Sequence, residues 1–186
     1  MVKKAVLALA LAVPAIAASP AHAATTACKI QPYGFIGDYW HTLGGESAII
    51  GCPTRAEYGI PNRNGRRQDF ENGQIAWSPD QGGKMIVAAY GATVGGKPGV
   101  VLRWGPTDPF NYDYFKITVK TDFAGTQVNQ ARNQARTRGR EVFWPPAGRN
   151  AGGSLGHYSF SVIGCDSKIT GDTCRQGWSI WVSADA

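Results

Sequence analysis

Asp69 and Glu71 stand two residues apart, a spacing that sets side chains on one face of a strand. Two carboxylates so placed have the chemistry to flank a glycan, either as a hydrolytic pair or as acceptors for sugar hydroxyls. The groups that would complete a catalytic set are sparse. Of three histidines, His22 lies in the N-terminal leader, and neither His41 nor His157 sits in a recognised nucleophile motif. There is no H-E-x-x-H zinc motif and no G-x-x-x-x-G-K-[ST] phosphate loop. The expectation is a protein that is not an enzyme and has no cofactor and no metal, with Asp69 and Glu71 serving in binding.

Four cysteines, Cys28, Cys52, Cys165 and Cys174, all follow the leader. An even count in an exported chain argues for two disulfides, with three pairings open. Proximity in the chain favours Cys28–Cys52 and Cys165–Cys174. Oxidation would remove any thiol nucleophile. A zinc site is the weaker alternative, because no pair has the close C-x-x-C spacing of structural zinc.

The leader itself is Lys3-Lys4, an apolar run from Ala5 to Ala18, and Ala21-His22-Ala23. That order is a secretory signal peptide over residues 1–23, with the mature chain beginning at Ala24. The apolar run is shorter than the roughly 20 residues a bilayer span needs. The expected location is extracellular or cell-wall associated. The chain carries a net charge of +6. Arg63, Arg66 and Arg67 fall in one stretch, and Arg132, Arg136, Arg138 and Arg140 in another. Outside a cell such charge meets anionic glycans, wall polymers or membrane surfaces, so nucleic acid is not the expected partner.

Strand grammar dominates the second half. Phe115, Ile117 and Val119 alternate with Lys116, Thr118 and Lys120, as on a half-buried strand. Val100, Leu102 and Trp104 repeat the pattern, as do Tyr158, Phe160 and Val162, and Trp178, Ile180 and Val182. Turn clusters between them predict an antiparallel sandwich over residues 93–186. These strands resemble a fibronectin type III domain: Val100–Trp104 its second strand, Tyr158–Val162 its penultimate one, Trp178–Ser183 its closing one. A first strand is hard to find before Val100; residues near Ile86–Tyr90 are a candidate. Residues 127–138 read as strand or short helix. Gly95-Gly96-Lys97-Pro98-Gly99 reads as a joint between the halves.

Residues 24–92 read differently. A short helix is expected around Asp38–Leu43, then a hairpin in which Phe70 precedes a turn at Asn72-Gly73 and Ile75 and Trp77 alternate on the returning strand. The series Trp40-x-x-Leu43-Gly44-Gly45, Ile50-Gly51-Cys52-Pro53-Thr54 and Gln68-x-Phe70-x-x-Gly73-x-Ile75-x-Trp77-Ser78-Pro79 resembles an LGFP repeat, a module of secreted actinobacterial proteins. Cys52 stands where the name-giving Phe would be, and one copy is present where the family strings several together. The resemblance implies attachment to the cell envelope.

The fold class expected is thus mainly β: a small LGFP-like α+β hairpin module followed by an antiparallel β-sandwich. Tryptophans are numerous, and exposed tryptophan faces stack on sugar rings or anchor protein contacts. Trp104 and Trp178 are assigned to the core, Trp181 alternates outward, and Trp144-Pro145-Pro146 forms an exposed corner. The binding residues expected are Trp40, Arg63, Arg66, Arg67, Asp69, Glu71 and Trp77. The expected function is binding or adhesion, with cell-wall glycan as partner; the alternative is another secreted protein.

Overall fold

The computed structural model describes residues 27–147 and 155–186. The expected signal peptide and its cleavage point after Ala23 lie outside the described residues. Among the described residues the chain is mainly β, with one short α-helix and two antiparallel sheets. In chain order the elements are α1 (Gly34–Thr42), β1 (Tyr58–Gly59), β2 (Arg66–Phe70), β3 (Gly73–Trp77), β4 (Ile86–Val94), β5 (Lys97–Gly105), β6 (Tyr114–Thr121), β7 (Gly125–Ala131), β8 (Gly139–Phe143), β9 (His157–Asp166), β10 (Thr173–Arg175) and β11 (Val182–Asp185). Helix α1 starts a turn earlier than expected, and the open stretch 127–138 begins as strand β7.

The first sheet runs β1-β2-β3-β4-β5-β8 and the second β10-β9-β6-β7, with β11 also paired to β9. Between the sheets lies the main core, where Val87, Ala89, Leu102 and Trp104 meet Phe115, Ile117, Phe160 and Val162. The other face of the first sheet is covered by α1 and the loop after it. There Ile36, Trp40 and Ile50 pack on Phe70, Ile75, Ala88, Tyr90 and Val101. Ile86 to Tyr90 are all buried because β4 is covered on both faces, and its sequence is accordingly an unbroken apolar run rather than an alternation. Strand β6 has one face toward solvent and alternates as expected.

The expected joint is a correction. Val94 pairs with Lys97, so Gly95-Gly96 is the two-residue turn of the β4–β5 hairpin. Both glycines take left-handed φ, +58° and +78°, as a tight primed turn demands. The sheet therefore runs unbroken across residue 93, and the core between the sheets draws on both sides of it.

Both disulfides join the cysteines nearest in sequence, Cys28–Cys52 and Cys165–Cys174, and no cysteine is free. Such bonds belong to an oxidising compartment. No helix among the described residues is long and apolar enough to cross a membrane.

Candidate functional site

The β2–β3 hairpin is the starting point. Phe70 pairs with Gly73, which makes Glu71-Asn72 the turn and moves it one residue ahead of the expected Asn72-Gly73. Gly73 is a strand residue whose φ is not left-handed. Its glycine is required by close approach, because a Cβ there would lie 2.0 Å from the Ala89 carbonyl oxygen on β4.

The turn is latched by the preceding loop. Glu71 N–H donates to Cys52 O (3.0 Å) and Asn72 N–H to Ile50 O (3.0 Å), while the Asn72 side-chain amide donates to Ile49 O (2.7 Å). Glu71 Oε2 accepts from Cys52 N–H at 3.1 Å. Gly51 crosses so close, at φ +80°, that a Cβ would come within 2.3 Å of that carboxylate. Glu71 thus holds the Gly51-Cys52 loop.

Asp69 anchors a second cluster. Its Oδ1 accepts from the Tyr58 hydroxyl and from Gln74 Nε2, each at 2.9 Å, and Arg55 makes a 3.6 Å ion pair with Oδ2. Arg67 Nε donates to the Tyr58 oxygen at 2.7 Å, and the Arg55 guanidinium lies 3.8 Å over the Tyr58 ring. Burial raises the Tyr58 pKa above its ordinary value; the hydrogen bond from Arg67 opposes this, and the one to Asp69 adds to it.

Asp69 and Glu71 open onto one cleft of about 610 Å³, together with Asn72 and Gln74. The opposite wall comes from the chain's end. Strand β11 reaches the repeat through Ser183 N–H, which donates to Gln74 Oε1 at 2.8 Å. The β9–β11 register sets His157 opposite Asp185, with Nδ1 2.9 Å from Oδ1. Ser159 and Ser183 pair their hydroxyls at 2.8 Å. Carboxylates, amides and hydroxyls rim an open trough in which hydroxyl-rich ligands find both donors and acceptors.

The other expected binding residues are scattered. Trp40 is a correction: it is fully buried, with its indole N–H donating to Gly51 O at 3.0 Å, and no ligand reaches it. The three arginines do not form one patch. Arg66 and Arg67 point to opposite faces of β2, Arg66 bonding to Glu57 and Arg67 to Trp181 O at 2.9 Å. Arg63 donates to Trp178 O. Two of the three therefore tie the repeat to the C-terminal segment. Trp77 is half-buried, its N–H on Gly83 O (2.9 Å) and its ring 5.5 Å from Phe35, away from the cleft. Trp104 is core as expected, Trp178 is half-buried and not core, and Trp144 and Trp181 are exposed.

His157, Ser183 and Asp185 were not among the expected binding residues. His157 on β9 lies 26 and 28 residues from Ser183 and Asp185 on β11, and strand register alone brings it to them. The sequence also spells G-x-S-x-G at Gly152-Gly153-Ser154-Leu155-Gly156, just ahead of His157. A nucleophile elbow needs a helix after the serine, and here the strand β9 follows; Ser154 lies outside the described residues. Among the described residues no group of three or more His, Cys, Asp or Glu is placed to hold a metal.

The LGFP repeat family model matches residues 50–95, beginning after the Trp40–Gly45 segment and covering β1 to β4. No curated protein and no solved structure matches the chain. The chain thus carries an LGFP repeat at residues 50–95, followed by a β-rich region.

Proposed function

We propose that this is a secreted, non-catalytic binding protein that attaches to cell-envelope glycan through the cleft beside its LGFP repeat. The observation that carries the reading is the β2–β3 hairpin of the repeat, which sets Asp69, Glu71, Asn72 and Gln74 along one open polar trough. LGFP repeats occur often in cell-wall-associated proteins, and the two disulfides suit an exported chain. The two carboxylates of the repeat are committed as acceptors, Asp69 to Tyr58 and Gln74 and Glu71 to Cys52 N–H, which favours a holding role for them over proton transfer.

The test is co-sedimentation of the mature chain with purified, insoluble cell wall. Asp185 is 72% exposed and, among the described residues, its side chain bonds His157 alone, so Asp185→Asn changes the trough without unfolding it. The wild type should sediment with wall, and Asp185→Asn should weaken that about tenfold, the worth of one charge-assisted hydrogen bond. Wild type remaining in the supernatant, or Asp185→Asn sedimenting equally, overturns the reading. The non-catalytic part is checked separately: release of sugars, or hydrolysis of a simple ester, that vanishes in Ser154→Ala would overturn it.

A further inference from the structure

A second cleft, of about 560 Å³, lies where α1 meets the β5–β8 edge of the first sheet. Its lining includes Arg103, Arg138 and Arg140. Arg103 and Arg140 are direct cross-strand partners, and alternation puts both on the face that α1 covers, beside Val101 and Val142. Like charges set opposite each other on neighbouring strands repel. Nothing among the described residues neutralises them: none of the three arginines has an ion pair with a carboxylate. Glu141, between Arg140 and Val142, alternates to the opposite face and accepts from Gln134 Nε2 at 3.0 Å.

The Arg103–Arg140 pair also carries an unpartnered donor: Arg103 Nε is buried without a hydrogen bond, a state that native proteins seldom tolerate. The Tyr39 hydroxyl lies beside the Arg103 guanidinium and interacts with it. Burial pushes the Tyr39 pKa up to about 12, so that hydroxyl stays protonated and supplies no negative charge at physiological pH. Thr42 and Gln134 complete a polar lining with no carboxylate in it.

From three arginines lining one cleft, an uncompensated like-charge pair and the orphaned Arg103 Nε–H, we infer that this cleft binds a phosphate group. A planar fork of N–H donors matches phosphate oxygens bidentately, and a divalent oxyanion removes the Arg103–Arg140 repulsion in one step. The volume exceeds what a bare phosphate fills and leaves room for the polyol or sugar it esterifies. Past Tyr39, Thr42, Gly105 and Pro106 the cleft continues into a shallower groove that adds Phe35, Asp38, Lys84 and Ile86. This site is separate from the trough beside the repeat and stands or falls independently of the envelope reading.

Titration calorimetry on the mature chain at fixed ionic strength tests it, with two arms: inorganic phosphate, and a glycerol-phosphate oligomer that offers diesters. Saturable binding in either arm is expected, and the tighter arm identifies the source. Arg140→Gln and Arg138→Gln should each weaken binding about tenfold, while Lys168→Gln, outside the cleft's lining, should leave it unchanged. Arg140→Gln should also melt no lower than wild type in anion-free, low-salt buffer, because it relieves the like-charge pair. The proposal fails if neither arm shows binding, if Lys168→Gln weakens binding as much as the arginine variants do, or if Arg140→Gln binds as well as wild type.

Discussion

Trp40 separates the two roles that a tryptophan near an LGFP repeat can play. It was expected to meet ligand, and the fold puts it in the core between α1 and the first sheet, fully buried, with its N–H on the buried Gly51 oxygen. Trp40→Ala should therefore cost about 3–5 kcal/mol through the cavity it leaves. Trp40→Phe keeps a ring and loses the indole N–H, leaving Gly51 O without its donor, for about 1–3 kcal/mol. For a chain of this size each kcal/mol moves Tm by roughly 2–4 °C, so Trp40→Phe should melt some 2–12 °C below wild type.

Wall binding must be read on a folded protein, which makes Trp40→Phe the informative variant. Thermal denaturation in non-reducing buffer gives Tm, and co-sedimentation well below that Tm gives affinity. The expected result is a lowered Tm with affinity within about twofold of wild type, a difference of less than half a kcal/mol. An unchanged Tm together with a marked loss of wall binding would refute the assignment of Trp40 to the core.

The two disulfides should differ in weight. Cys28–Cys52 spans 24 residues of sequence and Cys165–Cys174 spans 9, which by loop-closure entropy corresponds to about 3.5 and 2.7 kcal/mol. Replacing the first pair by serines should lower Tm by more than replacing the second, and equal losses would show that closure entropy is not the controlling factor. Tyr114 is buried and hydrogen-bonded to Asp172, and both effects push its pKa up to about 12. The folded state then keeps a proton that the unfolded state has lost, so stability is fully present below about pH 10 and falls as pH rises toward 12. Denaturant unfolding across that window should show a shallower decline in Tyr114→Phe than in wild type; identical slopes would count against the shift.

Legibility in the sequence followed burial. Strand β6 could be read because one face meets solvent and the other the core, leaving Phe115, Ile117 and Val119 in strict alternation. Strand β4 carries no such signal, since both faces are covered. The Gly95-Gly96 pair then reads as a joint, because the residues that permit a linker also permit a tight primed turn. Only the pairing of β4 with β5 distinguishes them, and that pairing depends on the whole sheet. The face of α1 was equally hidden: Phe35, Ile36, Tyr39, Trp40 and Leu43 crowd apolar surface around a helix of nine residues. Nothing local says that Trp40 points inward while Phe35 stays exposed.

The trough was half legible for the same reason. Asp69 and Glu71 stand close in sequence, and strand geometry alone brought them to one region, although Glu71 sits in the turn and not on the strand. The other wall depends on contacts across roughly a hundred residues. Gln81 Nε2 donates to Gln176 O (2.7 Å), Ile180 N–H to Ser78 Oγ (3.0 Å) and Ser183 N–H to Gln74 Oε1. Gly91 of β4 comes so near β11 that a Cβ would lie 2.4 Å from the Asp185 carbonyl. These contacts make the C-terminal strand a structural part of the repeat's surface. In this chain one LGFP repeat is therefore enough to build a two-walled cleft, because β11 and the start of β9 supply the second wall from the same polypeptide.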